Sequence, residues 1–166
     1  MHKQNQHQSI IVTGGSGFIG SHFIRHVLST TSHHIINIDA LTYAGSSRNL
    51  IDIEENPNYS FEHHSVCNSA QMTRIINQYQ PSKIIHLAAE SHVDRSISSA
   101  SRFIDTNIKG TYVLLEACHT YWRSLDDLHK ADFKFHHVST DEVYGDLEEG
   151  KDSFHEDTPY NPSSPY

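Results

Sequence analysis

Ser9-Ile10-Ile11-Val12-Thr13 runs directly into Gly14-Gly15-Ser16-Gly17-Phe18-Ile19-Gly20, and the reading of this stretch decides the fold. Five β-branched or hydroxyl residues predict a strand, three of the next four residues are glycine, and Phe18, Ile19, Phe23, Ile24, Val27 and Leu28 then recur at helical spacing. Strand, tight turn and helix follow one another without a linker. Outward from there the alternation continues. His34–Asp39 (HIINID) is a second strand, followed by a polar segment over 42–49, and Tyr59–His63 is a weaker strand. Asn68 or Ser69 caps a helix that Pro81 ends after Tyr79, and Lys83–Ala89 (KIIHLAA) is a buried-type strand. Asp105–Tyr121, with Ile108, Val113, Leu114 and Ala117, is a long amphipathic helix, and Phe133–Ser139 is the last strand. Strands alternating with helices predict an α/β fold, a Rossmann-type doubly wound parallel sheet with helices on both faces.

The 166 residues suit one core, and the 36% hydrophobic content makes that core a modest one. Twelve Lys and Arg against 20 Asp and Glu give a formal charge of −8, so neither nucleic acid nor an anionic membrane is expected as a partner. No apolar run approaches the ~18 residues of a membrane span, residues 1–9 lack the apolar stretch of a signal peptide, and a cytoplasmic protein is expected. Cys67 and Cys118 form no CxxC pair and are expected as reduced thiols. Fifteen histidines are many, but the adjacent pairs His33–His34, His63–His64 and His136–His137 point to opposite faces of a strand, so no metal site is expected. Tyr121 and Trp122 read as packing residues.

A glycine turn between strand and helix lets the backbone approach a pyrophosphate, whose charge meets the helix N-terminus. Gly14, Gly17 and Gly20 are its working positions. Asp39 ends the second strand about 20 residues on, where an acid hydrogen-bonds the adenosine ribose and repels a 2′-phosphate. The predicted cofactor is therefore NAD rather than NADP, with Arg48 in the following loop as the argument for NADP.

TGGSGFIGS at 13–21, HLAAESHVDRS at 86–96, FIDTN at 103–107 and STDEVYG at 139–145 resemble the extended short-chain dehydrogenase/reductases. Within them the chain is most similar to the dTDP-glucose 4,6-dehydratases. The adjacent Asp141 and Glu142 after Thr140 discriminate most, and LTYAG at 41–45 and PYNPSSPY at 159–166 point the same way. The resemblance implies that Phe18 and Ile19 lie by the pyrophosphate and that Asp39, Ala40, Leu41 and Thr42 hold the adenosine half. It places Ser65 and Val66 at the adenine edge, and Leu87, Ala88, Ala89, Ser91 and Thr106 on the nicotinamide-ribose side. Two positions depart from the family pattern: Ala40 replaces a basic residue, and Ser65 replaces an aspartate.

The implied substrate is dTDP-glucose or a related nucleotide sugar, touched by Ser91 and Thr140. The implied chemistry is transient oxidation at C4, elimination of water across C5 and C6, and reduction at C6. Tyr166, in the place of the tyrosine that opens the family's Tyr-x-x-x-Lys, is the base on the C4 hydroxyl, and Thr140 hydrogen-bonds that oxygen. Glu142 removes the C5 proton and Asp141 protonates the departing C6 hydroxyl, a role that needs a raised pKa such as paired carboxylates produce. His92, Asp94 and Arg95 read as structural or supporting. Residues 1–145 are expected to form the NAD-binding domain and 146–166 a loop leading to the catalytic tyrosine. The family's lysine and its C-terminal substrate domain do not occur in these 166 residues, so the expectation is an N-terminal fragment, inactive alone and prone to association through an unpaired sheet edge, although the whole family allows a homodimer. The competing readings are a nucleotide-sugar 4-epimerase and a non-catalytic dinucleotide-binding protein.

Overall fold

The computed structural model describes residues 8–92, 96–97, 99–147, 150, 153–164 and 166. Asp94, Arg95 and Pro165 lie outside the described residues. Five strands, β1 (Ser9–Thr13), β2 (His34–Asp39), β3 (Tyr59–His63), β4 (Lys83–His86) and β5 (Lys134–His137), form one sheet in the order β3-β2-β1-β4-β5, and every neighbouring pair is parallel. The order reverses at β1, so the crevice at the C-terminal ends of β1 and β4 is the topological switch point where α/β folds bind ligands.

Helices cover both faces, which is why β1, β2 and β4 read as nearly continuous apolar runs. On one face α1 (Phe18–Thr30) brings Ile24 and Val27 onto Ile10, Val12 and Ile35, with Leu50 of a 3₁₀ segment (Ser47–Ile53) closing the layer. On the other, Met72, Ile75 and Ile76 of α2 (Ser69–Tyr79) and Leu114, Ala117, Cys118 and Tyr121 of α4 (Thr111–Ser124) pack on Ile11, Ile36, Ile38 and Ile84. Each such fully buried aliphatic side chain stabilises the fold by about 1.5–3 kcal/mol. Arg25 of α1 grips Asp52 with two bonds of 2.8 and 2.6 Å and so fixes the 3₁₀ segment against the helix.

Helix ends follow the sequence signals. The Asn68 side chain accepts the Gln71 N–H at 3.2 Å as the cap of α2, and Gln80, in a left-handed conformation at φ 45°, ends it before Pro81. β4 and β5 are shorter than their apolar runs. The backbone leaves the ladder after His86, which frees residues 87–91 to form a loop at the switch point.

The helix expected over Asp105–Tyr121 is a composite. A short α3 (Ala100–Phe103) passes into a π-helical segment, Ile104–Gly110, and only then into α4. The wider π turn rotates the residues before it relative to those after it. Ile108, read as part of the packed stripe, lies inside the π segment and is 65% exposed, while Leu114 and Ala117 are buried as expected. β5 is an edge strand among the described residues; Phe133, Val138 and Ser139 of the expected strand lie outside it, and a 3₁₀ turn (Asp141–Tyr144) follows. The proline-containing segment after it packs back: Tyr144 meets the rings of Phe154 and Tyr160 at 5.2 and 5.7 Å, and the Asn161 N–H donates to the Val143 carbonyl at 3.0 Å.

Among the described residues no helix is long and apolar enough to cross a membrane. His63 Nε2 lies 3.3 Å from the Ala40 carbonyl, whereas His64, just past the end of β3, lies 3.8 Å from Glu62.

Burial pushes the His86 imidazole down to about 4, and His137 beside it acts in the same direction. The unfolded chain, with an ordinary histidine value near 6.5, binds more protons than the folded chain between those limits. Stability is thus full above about pH 6.5 and falls as pH drops toward 4, by about 3 kcal/mol from this residue. His34 and His137, also lowered by burial, add in the same sense. Urea unfolding across that range should show the slope, and His86→Asn should flatten it.

Candidate functional site

The glycine turn is built by contacts that leave no room for side chains. Gly14 sits at φ +72°, and a Cβ there would stand 2.7 Å from the Ala88 nitrogen, so the turn and the loop after β4 touch backbone to backbone. A Cβ on Gly20 would strike the Gly14 carbonyl and stand 2.6 Å from the Gly15 Cα, so the first turn of α1 lies directly on the loop. The Gly14 N–H donates to the Ile38 carbonyl at 2.9 Å and the Gly17 N–H to the Gly14 carbonyl at 3.2 Å. Gly17, the N-cap of α1, has no side chain with which to satisfy the first-turn N–H groups, which suits an anion at that helix end. Phe18 and Ile19 beside it are 79% and 64% exposed, two large apolar side chains with little protein over them.

Asp39 is buried at the end of β2. One carboxylate oxygen accepts the Ser16 N–H at 2.9 Å, the other the Leu41 N–H at 2.8 Å. It therefore ties the glycine turn to the loop after β2, where Leu41 takes the left-handed conformation at φ 50°. A carboxylate has about four acceptor positions, so two remain for hydroxyl groups. Asn37, fully buried, adds a second tie by donating to the Ser16 hydroxyl at 3.1 Å and the Tyr59 hydroxyl at 3.0 Å. An asparagine interrupting the apolar run HIINID was the sequence signal for this role.

A cleft of about 490 Å³ opens between the loop after β2, the loop after β3 and the π segment. Its lining includes Thr42, Ser65 and Thr106, three of the positions expected to touch cofactor, together with Tyr43, Glu90 and Lys109, which were not singled out. Asn107 of the π segment holds the loop after β4 by both its amide atoms, accepting the Glu90 N–H at 2.8 Å and donating to the Glu90 carbonyl at 2.9 Å. Ala40, Ala89, Ser91 and His92 are exposed; Leu87 and Ala88 are half-buried; Val66 is buried against the π segment, where a Cβ on Gly110 would stand 2.8 Å from it. The described residues at this edge of the sheet thus offer a glycine cradle, an acid and an open cleft, a set that fits a dinucleotide.

The residues expected to act on substrate follow β5. The Thr140 hydroxyl accepts the Glu142 N–H at 3.2 Å and donates to Asp141 at 3.4 Å, so it caps the 3₁₀ turn that carries both acids. Asp141 is exposed and Glu142 half-buried. Tyr166 packs edge-on against Phe103 with ring centres 6.0 Å apart, next to the π segment bearing Thr106. Among the described residues no group of three or more His, Cys, Asp or Glu is arranged to hold a metal ion.

Parallel strands in this order, with a glycine turn after β1 and an acid closing β2, define a Rossmann-type α/β domain. More narrowly, the chain belongs to the GDP-mannose 4,6 dehydratase family, which it matches over residues 11–166. It is 54% identical over 165 residues to the dTDP-glucose 4,6-dehydratase of Salmonella typhimurium, an alignment covering 95% of this chain and 46% of that protein. The dTDP-glucose 4,6-dehydratase of Streptomyces venezuelae, solved with NAD and TYD bound, superimposes with a TM-score of 0.83 at 39% identity over 96% of this chain and 47% of that one. A UDP-glucose 4-epimerase from Thermus thermophilus in complex with NAD gives 0.79 at 27% identity, over 96% and 46% of the two chains. The chain spans about half the length of the curated relatives it matches.

Proposed function

We infer that this chain is the cofactor-binding half of an NAD-dependent dTDP-glucose 4,6-dehydratase, with residues 1–145 as the NAD-binding domain and 146–166 as the segment that delivers Tyr166. The observation that carries the reading is the pair Asp141–Glu142 on a turn capped by Thr140, at the same sheet edge as the glycine turn and Asp39. Removing water across two adjacent carbons needs one group to take a proton and another to give one, and two side chains next to each other on a turn supply both. An exchange of configuration at C4 alone would use neither, which favours dehydration over 4-epimerisation.

Gly14, Gly17, Gly20 and the first-turn N–H groups of α1 would hold the pyrophosphate, with Phe18 and Ile19 covering it. Asp39, Ala40, Leu41 and Thr42 would hold the adenosine ribose, Ser65 and Val66 the adenine. Leu87, Ala88, Ala89, Ser91 and Thr106 would face the nicotinamide side. NAD held there would supply the hydride acceptor for sugar C4 and the hydride donor for C6, with a proton returning to C5 as the hydride enters C6. Tyr166 takes the C4 hydroxyl proton while Thr140 bonds that oxygen. The 4-ketone so formed acidifies the C5 proton, which Glu142 removes, and Asp141 gives a proton to the departing C6 hydroxyl. The substrate is dTDP-glucose or a closely related nucleotide sugar, held in part by Ser91 and Thr140.

The test is a chimera in which these residues precede the C-terminal half of the Salmonella typhimurium relative. Incubated with dTDP-glucose and NAD, it should form the 4-keto-6-deoxy product, read by its absorbance in alkali. A product that keeps its C6 hydroxyl and is inverted at C4 would assign the chain to the epimerases, and no product at all would leave only dinucleotide binding.

A further inference from the structure

Thr13 and His86 are the last paired residues of β1 and β4, and their side chains are closed to solvent, at 0% and 1% exposure. The Thr13 hydroxyl oxygen lies 2.6 Å from His86 Nδ1 and accepts the Ala88 backbone N–H at 3.3 Å. On the other side of the ring, Nε2 is 3.0 Å from the Thr111 hydroxyl of α4. A threonine hydroxyl has a single proton. Its oxygen can accept twice, but among the described residues the buried hydroxyl proton has no acceptor other than Nδ1, so it donates there to a bare nitrogen. The neutral ring then carries its proton on Nε2 and donates to Thr111.

This line of bonds ends on the two backbones that meet at the switch point. Thr13 leads into Gly14, whose missing Cβ lets it approach the Ala88 nitrogen, and the Leu87 N–H donates to the Thr13 carbonyl at 3.0 Å. An aliphatic residue in place of His86 would match its neighbours Ile84 and Ile85 but would leave the buried Thr13 hydroxyl without this partner, at about 1–3 kcal/mol, and the half-buried Thr111 hydroxyl without its own. We propose that His86 is a positioning residue for the cofactor site: as the Nε2–H tautomer it orients Thr13, and through Thr13 holds the Ala88 amide at the spacing that lets the glycine turn and the loop after β4 line one dinucleotide. This rests on the NAD reading above.

The groups facing the ring are Thr13 from β1, Thr111 from α4, and Phe135 and His137 from β5, with ring centres 6.0 and 5.1 Å away. His137 is the titratable one among them, and its charge disfavours a second charge on His86. Protonating Nδ1 would set a donor against the Thr13 hydroxyl and leave that hydroxyl's own proton without its acceptor in a dry site. Acid should therefore loosen the Ala88 tie as well as the fold.

Calorimetric titration with NAD near neutral pH, combined with nitrogen-15 NMR of the imidazole, tests the proposal. Wild-type protein should show a bare Nδ1 and a protonated Nε2. His86→Phe, and Thr13→Val as the milder change should His86→Phe not fold, should bind NAD about tenfold more weakly, as the loss of one buried hydrogen bond implies. His86→Asn, whose amide oxygen can accept near the place of Nδ1, should recover affinity to within about threefold and lose the weakening of NAD binding expected of wild type as pH falls to about 4 and below. A proton on Nδ1, unchanged affinity in Thr13→Val, or His86→Asn no better than His86→Phe would each overturn the positioning role while NAD binding itself stands. Wild-type protein that binds no NAD would overturn the cofactor reading first, and the positioning role with it.

Discussion

Gly14→Ala should abolish measurable NAD binding and destabilise the chain by about 3 kcal/mol, the sum of a left-handed conformation forced on an L-residue and an overpacked contact. Both contributions are local and specific. The φ of +72° is one that alanine adopts at a cost, and the new methyl would stand 2.7 and 2.8 Å from the Ala88 nitrogen and Cα, which are backbone atoms of a loop pinned by Thr13 and Asn107. The loop after β4 must then retreat, and the gap it opens is the place proposed for the dinucleotide. Urea unfolding followed by fluorescence reads the stability change, and calorimetry reads the binding. A variant that unfolds like wild type and still binds NAD would show that the turn is a connection only.

Glu142→Gln, made in the chimera with the Salmonella typhimurium C-terminal half, should slow removal of the C5 proton by about 10²–10⁴-fold, the usual worth of a general base. Glutamine keeps the length of the side chain and its place on the turn, so the substitution removes basicity and little else. Hydride transfer from C4 should remain measurable, since that step is proposed to use Tyr166 rather than Glu142. Rapid quench in deuterated solvent separates the two: the variant should accumulate NADH without incorporating deuterium at C5. Incorporation at the wild-type rate would move the base to another residue.

Most of the fold was written in short-range signals. Glycine spacing, the β-branched runs, the Asn68 cap and Pro81 each act within a few residues, and each formed its element in place, although β4 and β5 ended before their runs did. The π segment was not legible in the same way. Periodicity assumes one turn geometry throughout, so Ile108 counted toward a helix whose stripe it does not join: it lies in the π segment and is exposed. The candidate site was legible by residue type but not by connection. Asp39 was readable as an acid at the end of β2, where a ribose is proposed to bind. That the same carboxylate also clamps Ser16 to Leu41 depends on β1 and β2 lying side by side, which no local pattern encodes. His86 and Asn107 went unnoticed for the same reason: one lay within an apolar strand and the other within a helix, and their partners are 73, 25 and 17 residues away in sequence.

The central claim is that the crevice at the ends of β1, β2 and β4 is an NAD site selected by Asp39. Titrating the purified chain in a calorimeter with NAD and, separately, with NADP tests it most directly. The predicted result is saturable NAD binding with NADP weaker by about tenfold or more, a difference of about 1.4 kcal/mol set by a 2′-phosphate against the Asp39 carboxylate. NADP binding as tight as NAD or tighter, or no binding of either, would contradict it.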